Sequence, residues 1–264
     1  MSRQLVLIRG GGDIATGIAH RLFKSGYSVV ITEIEKPTAI RRTASFAQAM
    51  IDGEITIEDV TAVKVYDADE IGQALKQKKI AIIIDETGDV IEKINPDVVV
   101  DAILAKKNLG TDISMAKIVI GVGPGFEAKK DVHAVIETNR GHHLGKVITN
   151  GKAQTDTGIP ANIKGHTYDR VIRAKNDGKI KHNAKIGDKV ESGQVIAFVG
   201  EQEVKAKISG ILRGLIQTCI YVDENAKIAD IDPRGEREYC FSISDKARAV
   251  AGGVLEAIMY LEKD

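Results

Sequence analysis

Cysteine is scarce in this sequence: Cys219 and Cys240 are the only two in 264 residues. They form no metal or redox motif, and a disulfide framework is excluded. Surplus charge is lacking as well. Lysine plus arginine and aspartate plus glutamate are each 37, so the formal net charge is zero. That argues against a general binder of nucleic acid or anionic membranes, which needs a positive excess. No apolar run approaches the ~18 residues of a membrane span. Signal-peptide anatomy is missing too, since Met1 to Leu7 lead straight into a strand. These absences predict a cytoplasmic protein with reduced thiols. There is no low-complexity stretch and no whole-chain repeat. What is present suffices for a core: 43% of the residues are hydrophobic, over a length that suits one large or two medium domains.

The most informative run is Leu5 to Leu22. A short apolar strand, Leu5 to Ile8, tightens into Gly10, Gly11 and Gly12, and Ile14, Ile18 and Leu22 then recur every four residues. Gly10, Gly12 and Ala15 fit the G-x-G-x-x-A dinucleotide fingerprint. There the first glycine permits a tight turn, the second a close phosphate, and the third small residue helix-on-strand packing. A second strand, Ser28 to Thr32, ends in Glu33, 21 residues after Gly12. That is close to the roughly 20-residue offset of a ribose-binding acid. Two plainer readings stand beside this: Asp13 as a cap of its own helix, and Glu33 as a solvated strand end.

Strands and helices then alternate. A loop covers Lys36 to Arg42, a short helix runs from Thr43 to Ile51, and a strand from Val60 to Tyr66. A helix over Asp67–Lys78 has an acidic first turn and a basic last turn, as the macrodipole favours. Ile80–Asp85, Val98–Asp101 and Ile118–Ile120 are continuous apolar strands of the kind parallel sheets bury. This order predicts an α/β fold: a Rossmann-like, doubly wound parallel sheet with right-handed crossovers over residues 1–144. Ligands of such sheets sit beyond the carboxyl ends of the strands. There the sequence places a second glycine cluster, Gly121, Gly123 and Gly125, which reads as an anion nest or as a tight surface turn. Beyond it, His133 and Glu137 share one strand face, and Arg140 and His142 flank a glycine-bounded turn. These four are candidate substrate or anion contacts. Their spacing matches no standard zinc motif, and no metal is expected.

Helical periodicity disappears near Gly145. Short β-like runs broken by glycines follow, and the phrase from Ile186 to Ala197 resembles the barrel-sandwich fold of biotinyl and lipoyl domains. Residues 145–240 are therefore expected to form a β-rich barrel-sandwich domain. The expected hairpin tip, Gly200 to Glu203, carries no lysine to modify; Lys205 and Lys207 come later. Asp230 and Asp232 sit in a turn-forming run that could hold a divalent cation or pair with Arg234. Residues 241–264 read as a helix that starts at Ser244, a good N-cap. Gly252 and Gly253 in its middle point to close packing back onto the first domain.

Taken together, several motifs resemble one family. They are Ile8–Gly17, Pro37–Arg42, Gly121–Phe126, Asp131–Thr138, Arg140–His142, Asp230–Arg234 and Ser244–Arg248. In the same order they look like the YqeB-type accessory proteins associated with selenium-dependent molybdenum hydroxylases. The likeness runs from near Arg3 to near Ile258. It implies a role in maturing such hydroxylases or equipping them with cofactor. The partners it implies are the hydroxylase or its cofactor-maturation proteins, and an oligomer stays open. The first half is also similar in style to the XdhC-type chaperones that hand over molybdenum cofactor.

On that resemblance the candidate cofactor is molybdopterin cytosine dinucleotide. Its pyrophosphate suits the turn of Gly10, Gly11, Gly12, Asp13 and Ala15, with Arg41 or Arg42 offering a phosphate-matching fork. Glu33 would take ribose hydroxyls. Two alternatives stay open. One is an NAD(P)- or other nucleotide-dependent enzyme that uses residues at the strand ends. The other is a scaffold docking a partner through the β domain.

Overall fold

The computed structural model describes residues 4–263; Met1, Ser2, Arg3 and Asp264, at the ends of the expected domain spans, lie outside the described residues. The chain divides into two compact units. The first comprises residues up to Pro37, Ser45–Asp156 and those from Ile243 onward; the second comprises Thr38–Ala44 and Thr157–Ser242.

In the first unit the order is β1 (Leu5–Arg9), α1 (Asp13–Lys24), β2 (Ser28–Glu33), α2 (Ala49–Asp52), β3 (Glu54–Ile57), β4 (Val60–Val65), α3 (Ala68–Lys76), β5 (Ile80–Ile84), α4 (Val90–Ile94) and β6 (Val98–Asp101). Then come β7 (Ile118–Val122), β8 (Glu127–Ala128), β9 (Ala134–Ile136), β10 (Val147–Ile148), β11 (Gly151–Lys152) and, last in the chain, α5 (Asp245–Leu261). Nine strands form one sheet in the order β10-β9-β7-β6-β1-β2-β5-β4-β3. The strands from β9 to β4 pair in parallel, while β3 and β10 pair antiparallel at the two edges.

Both sheet faces are covered, so the central strands read as unbroken apolar runs. Val6 and Ile8 face one cluster with Ile14, Ile18 and Leu22 of α1 and Val250, Val254 and Ile258 of α5. Leu7 faces the other, with Ile71 and Ala74 of α3 and Val90 and Ile91 of α4. This alternation is the period-2 geometry of a strand between two layers.

The second unit is built from antiparallel strands: β12 (Val171–Arg173), β13 (Gly178–His182), β14 (Lys189–Val190), β15 (Val195–Val199), β16 (Gln202–Lys205), β17 (Gly210–Leu215), β18 (Tyr221–Val222) and β19 (Lys227–Asp232). They make two four-stranded sheets, β12-β19-β17-β14 and β16-β15-β13-β18. Ile172, Ile180, Ile196, Leu212, Leu215 and Ile231 lie in their shared core.

This architecture corrects the expected fold class. A Rossmann-like doubly wound parallel sheet followed by a barrel-sandwich does not describe a nine-stranded mixed sheet accompanied by several antiparallel sheets. The reasons lie in the connections. β3 and β4 are joined by a two-residue turn at Glu58 and Asp59, which forces an antiparallel pair. Between β6 and β7 the described helical residues are a single 3-10 turn, Ile113–Met115, not a crossover helix. β5 lies between β2 and β4, which puts the β3–β4 pair at the sheet edge beyond it. The helix expected over Thr43–Ile51 is also interrupted. Ser45 is extended (φ −137°, ψ 123°), and the segment breaks into 3-10 turns before α2.

Candidate functional site

The glycine turn after β1 is held from several sides. Gly10 has φ +89°, and a Cβ there would stand 3.0 Å from the Ile103 Cα. Its amide donates to the Thr32 carbonyl at 2.8 Å. The Gly11 amide donates to Glu33 Oε2 at 2.8 Å, and the Gly11 carbonyl accepts from Ser45 Oγ at 2.8 Å and the Ala47 amide at 2.9 Å. Gly12 differs. It is the N-cap of α1 with no side-chain cap, and a Cβ on it would meet nothing within 4 Å. Asp13 opens the helix, and Ala15 is buried two residues later in its first turn. Backbone N–H groups at such a helix start, with the macrodipole behind them, favour an anion.

Glu33 has a different occupation from the one expected. Besides Gly11, its Oε1 accepts from the Ile34 amide at 2.9 Å. Burial raises its carboxyl above the usual range, and these two amide bonds oppose the shift. The carboxylate thus ties the glycine turn to the end of β2. Arg41 and Arg42 belong to the second unit. Arg41 Nη2 donates to the Tyr239 and Ser242 carbonyls, both at 2.9 Å, and Arg42 Nε to the Leu215 carbonyl at 2.7 Å.

The second glycine cluster serves packing. A Cβ on Gly121 would fall 2.4 Å from the Phe126 ring, one on Gly123 2.8 Å from Thr138 Oγ1, and one on Gly125 2.8 Å from the Lys107 Cα. His133 Nδ1 accepts from the Val119 amide at 2.9 Å, and burial pushes its pKa down. Glu137 is buried at the end of β9, where its two oxygens accept from the Asn139 amide at 2.7 Å and the Gln154 amide at 2.8 Å. Arg140 makes a two-pronged pair with Asp245 at 2.8 and 3.1 Å. His142 packs edge-on against His143, ring centroids 5.0 Å apart.

Two features escaped the sequence reading. Arg9, at the end of β1 and 1% exposed, donates to Thr111 Oγ1, which donates to the buried Asp101 carboxylate. Arg9 Nη1 also lies 3.6 Å from Asp101. An arginine closing an otherwise apolar strand was the available signal. The second feature is Lys246, in the first turn of α5. Burial lowers its pKa first, and Arg140 adds to that. Asp13, Asp156 and Glu137 act in the opposite sense and favour its charged form. Lys246 lies inside the Ser244–Arg248 motif, but its role was not legible there, because its charged neighbours come from three other parts of the chain: Asp13, Glu137 with Arg140, and Asp156.

The candidate site is therefore the carboxyl edge of the large sheet. There the open start of α1 and the Lys246 ammonium are the groups suited to an anion, and Asp13, Glu137 and Asp156 limit the charge it tolerates. Among the described residues no group of three His, Cys, Asp or Glu side chains is placed to hold a metal ion. Among them, too, no helix is long and apolar enough to cross a membrane.

The chain is 53% identical over 258 residues to the uncharacterized protein YqeB of Escherichia coli (strain K12), a match that covers 98% of this chain and 48% of that protein. The similarity supports placement in the YqeB family. The chain spans about half the length of this relative. No protein-family model matches the chain. Among solved structures it aligns with an aspartoacylase family protein from Mesorhizobium loti at 11% identity, covering 87% of this chain and 85% of that one, with a TM-score of 0.27. The ectoine utilization protein EutE (DoeB) from Ruegeria pomeroyi, in its product-bound structure, aligns at 9% identity over the same shares with a TM-score of 0.26. Likeness this slight carries no argument about activity.

Proposed function

We propose that the chain is an accessory protein for selenium-dependent molybdenum hydroxylases and binds a nucleotide-bearing cofactor at the carboxyl edge of its large sheet. The observation that carries the binding half is Gly12: an uncapped helix start opening on empty space, in the same unit as the Lys246 ammonium. These groups fit a pyrophosphate, with amide donors on one side and a partly desolvated cation for charge. The maturation role, and molybdopterin cytosine dinucleotide as the ligand, rest on the motif resemblance to YqeB-type proteins. Glu33, engaged by two amides, is left out of the ribose role, and Arg41 and Arg42 are left out of the phosphate role.

A thermal-shift panel tests this reading with CMP, CDP, CTP, extracted molybdenum cofactor, NAD and NADP. A ligand at 100 times its Kd adds about 2.7 kcal/mol, a clear rise in Tm. The expected result is a rise with cytidine nucleotides or the cofactor that is lost in Gly12→Val and weakened in Lys246→Met. A response to NAD or NADP alone would replace the reading with a nicotinamide-dependent enzyme. Silence across the panel would remove ligand binding at this edge.

A further inference from the structure

The two sheets of the second unit leave an open side. β12 is the outer strand of one and β16 the outer strand of the other. Among the described residues no backbone hydrogen bond joins them. Between them lies a cavity of about 210 Å³, lined by Ile172 and Arg173 of β12, by Lys175 and Asn176 of the turn that follows, and by residues 202–207. Its apolar lining belongs to the core of the unit, for Ile172, Val204 and Ala206 are buried. Burial alternates from Glu203 to Lys207, which puts Lys205 and Lys207 on the exposed face of this edge. A cavity of about 150 Å³ already admits benzene, so this one has room for a small organic molecule.

The charged part of the lining is cationic. Arg173, Lys175, Lys205 and Lys207 face Glu203 as the one acid in it. Glu203 is engaged by Lys205 at 2.8 Å. Arg173 Nη1 donates to the neutral Asn225 carbonyl at 2.8 Å. The Lys175 and Lys207 ammoniums have no hydrogen-bond or ion-pair partner among the described residues. Three cationic heads around one cavity are thus left without a carboxylate. Both lysines are exposed, and their flexible stems let them turn onto a ligand. The whole unit has the same bias: it holds sixteen Lys and Arg against twelve Asp and Glu in a chain that is neutral overall, so its field draws anions.

We infer that this cavity binds a small organic anion with two or three negative charges. Its carbon body rests on Ile172, Val204 and Ala206, and its anionic groups meet Arg173, Lys175 and Lys207. A polycarboxylate or a phosphate ester has this chemistry. The site is independent of the one proposed at Gly12 and uses none of its residues.

Isothermal titration calorimetry of the full chain with citrate, glycerol 3-phosphate and inorganic phosphate, at constant ionic strength, tests it. The expected result is saturable binding of citrate or glycerol 3-phosphate at one site per chain, tighter than that of inorganic phosphate, which has no carbon body. The stronger of the two organic anions tells carboxylate from phosphate recognition. Affinity should be equal in wild type and Gly12→Val, and weakened about tenfold or more in Lys175→Glu and in Lys207→Glu. Lys179→Glu, on β13 and outside the cavity, makes the same change of charge and should leave affinity unchanged. Circular dichroism checks that these variants are folded. A measurement on the wild type needs no variant: the bound anion should shift amide NMR signals of residues 172–176 and 202–207. Absence of saturable binding by both organic anions, absence of those shifts, or an equal loss in Lys179→Glu would overturn the site. Loss of binding in Gly12→Val would overturn it too, by moving the anion to the glycine turn.

Discussion

Adjacent glycines in α5 show how far a residue's meaning depends on its neighbours. A Cβ on Gly253 would stand 2.1 Å from the Gly145 carbonyl oxygen, whereas one on Gly252 would meet nothing within 4 Å. Gly253→Ala is expected to lose about 1–3 kcal/mol through overpacking. Gly252→Ala is expected to gain up to about 1 kcal/mol, because alanine loses less backbone freedom in a helix. Urea melts of the two variants check the pair, and equal effects would contradict this packing. Gly10→Ala should cost about 1–3 kcal/mol, since the residue combines φ +89° with a backbone wall at 3.0 Å. A neutral result there would mean that the turn adapts. The glycine pair was visible in the sequence as a sign of close packing. Which member is packed was not, because that depends on where the Gly145 loop lies.

At the scale of elements, α1 follows its i, i+4 apolar spacing and buries Ile14, Ile18 and Leu22. Its outer side binds the turn between β3 and β4: Asp59 accepts from Lys24 and contacts His20 at 2.9 Å. The Lys24 hydrogen bond, then His20, lowers the Asp59 carboxyl from 3.8 to about 2. A carboxyl whose folded pKa lies below its unfolded value lends stability above the unfolded pKa and loses it as pH falls through the folded one. The contribution of Asp59 should thus fade between about pH 4 and pH 2. Asp59→Asn should flatten the Tm-against-pH curve in that window, and a curve parallel to wild type would refute the pairing. The segment 43–51 failed as a helix for a reason outside itself. Ser45 Oγ donates to the Gly11 carbonyl and the Phe46 amide to Thr16 Oγ1, so partners 30 or more residues away hold it in another conformation.

At the scale of the whole molecule, the first unit has its core on both faces of one sheet. β1, β2 and β6 sit between neighbours and layers, while β3 and β10 are edges. Hydrogen exchange should therefore be slowest in β1, β2 and β6 and fastest in β3 and β10; the reverse order would refute the strand arrangement. Ile8→Ala, in the central strand, should cost about 2–5 kcal/mol by denaturant titration. The apolar strands, the start of α1 and the change of character in the second half were legible from local spacing, because period and turn chemistry are carried by neighbouring residues. Strand order, the antiparallel edges, the engagement of Glu33 by two amides and the convergence on Lys246 were decided by tertiary structure alone. Each depends on which distant segments meet, and electrostatic and packing energies act through space rather than along the chain.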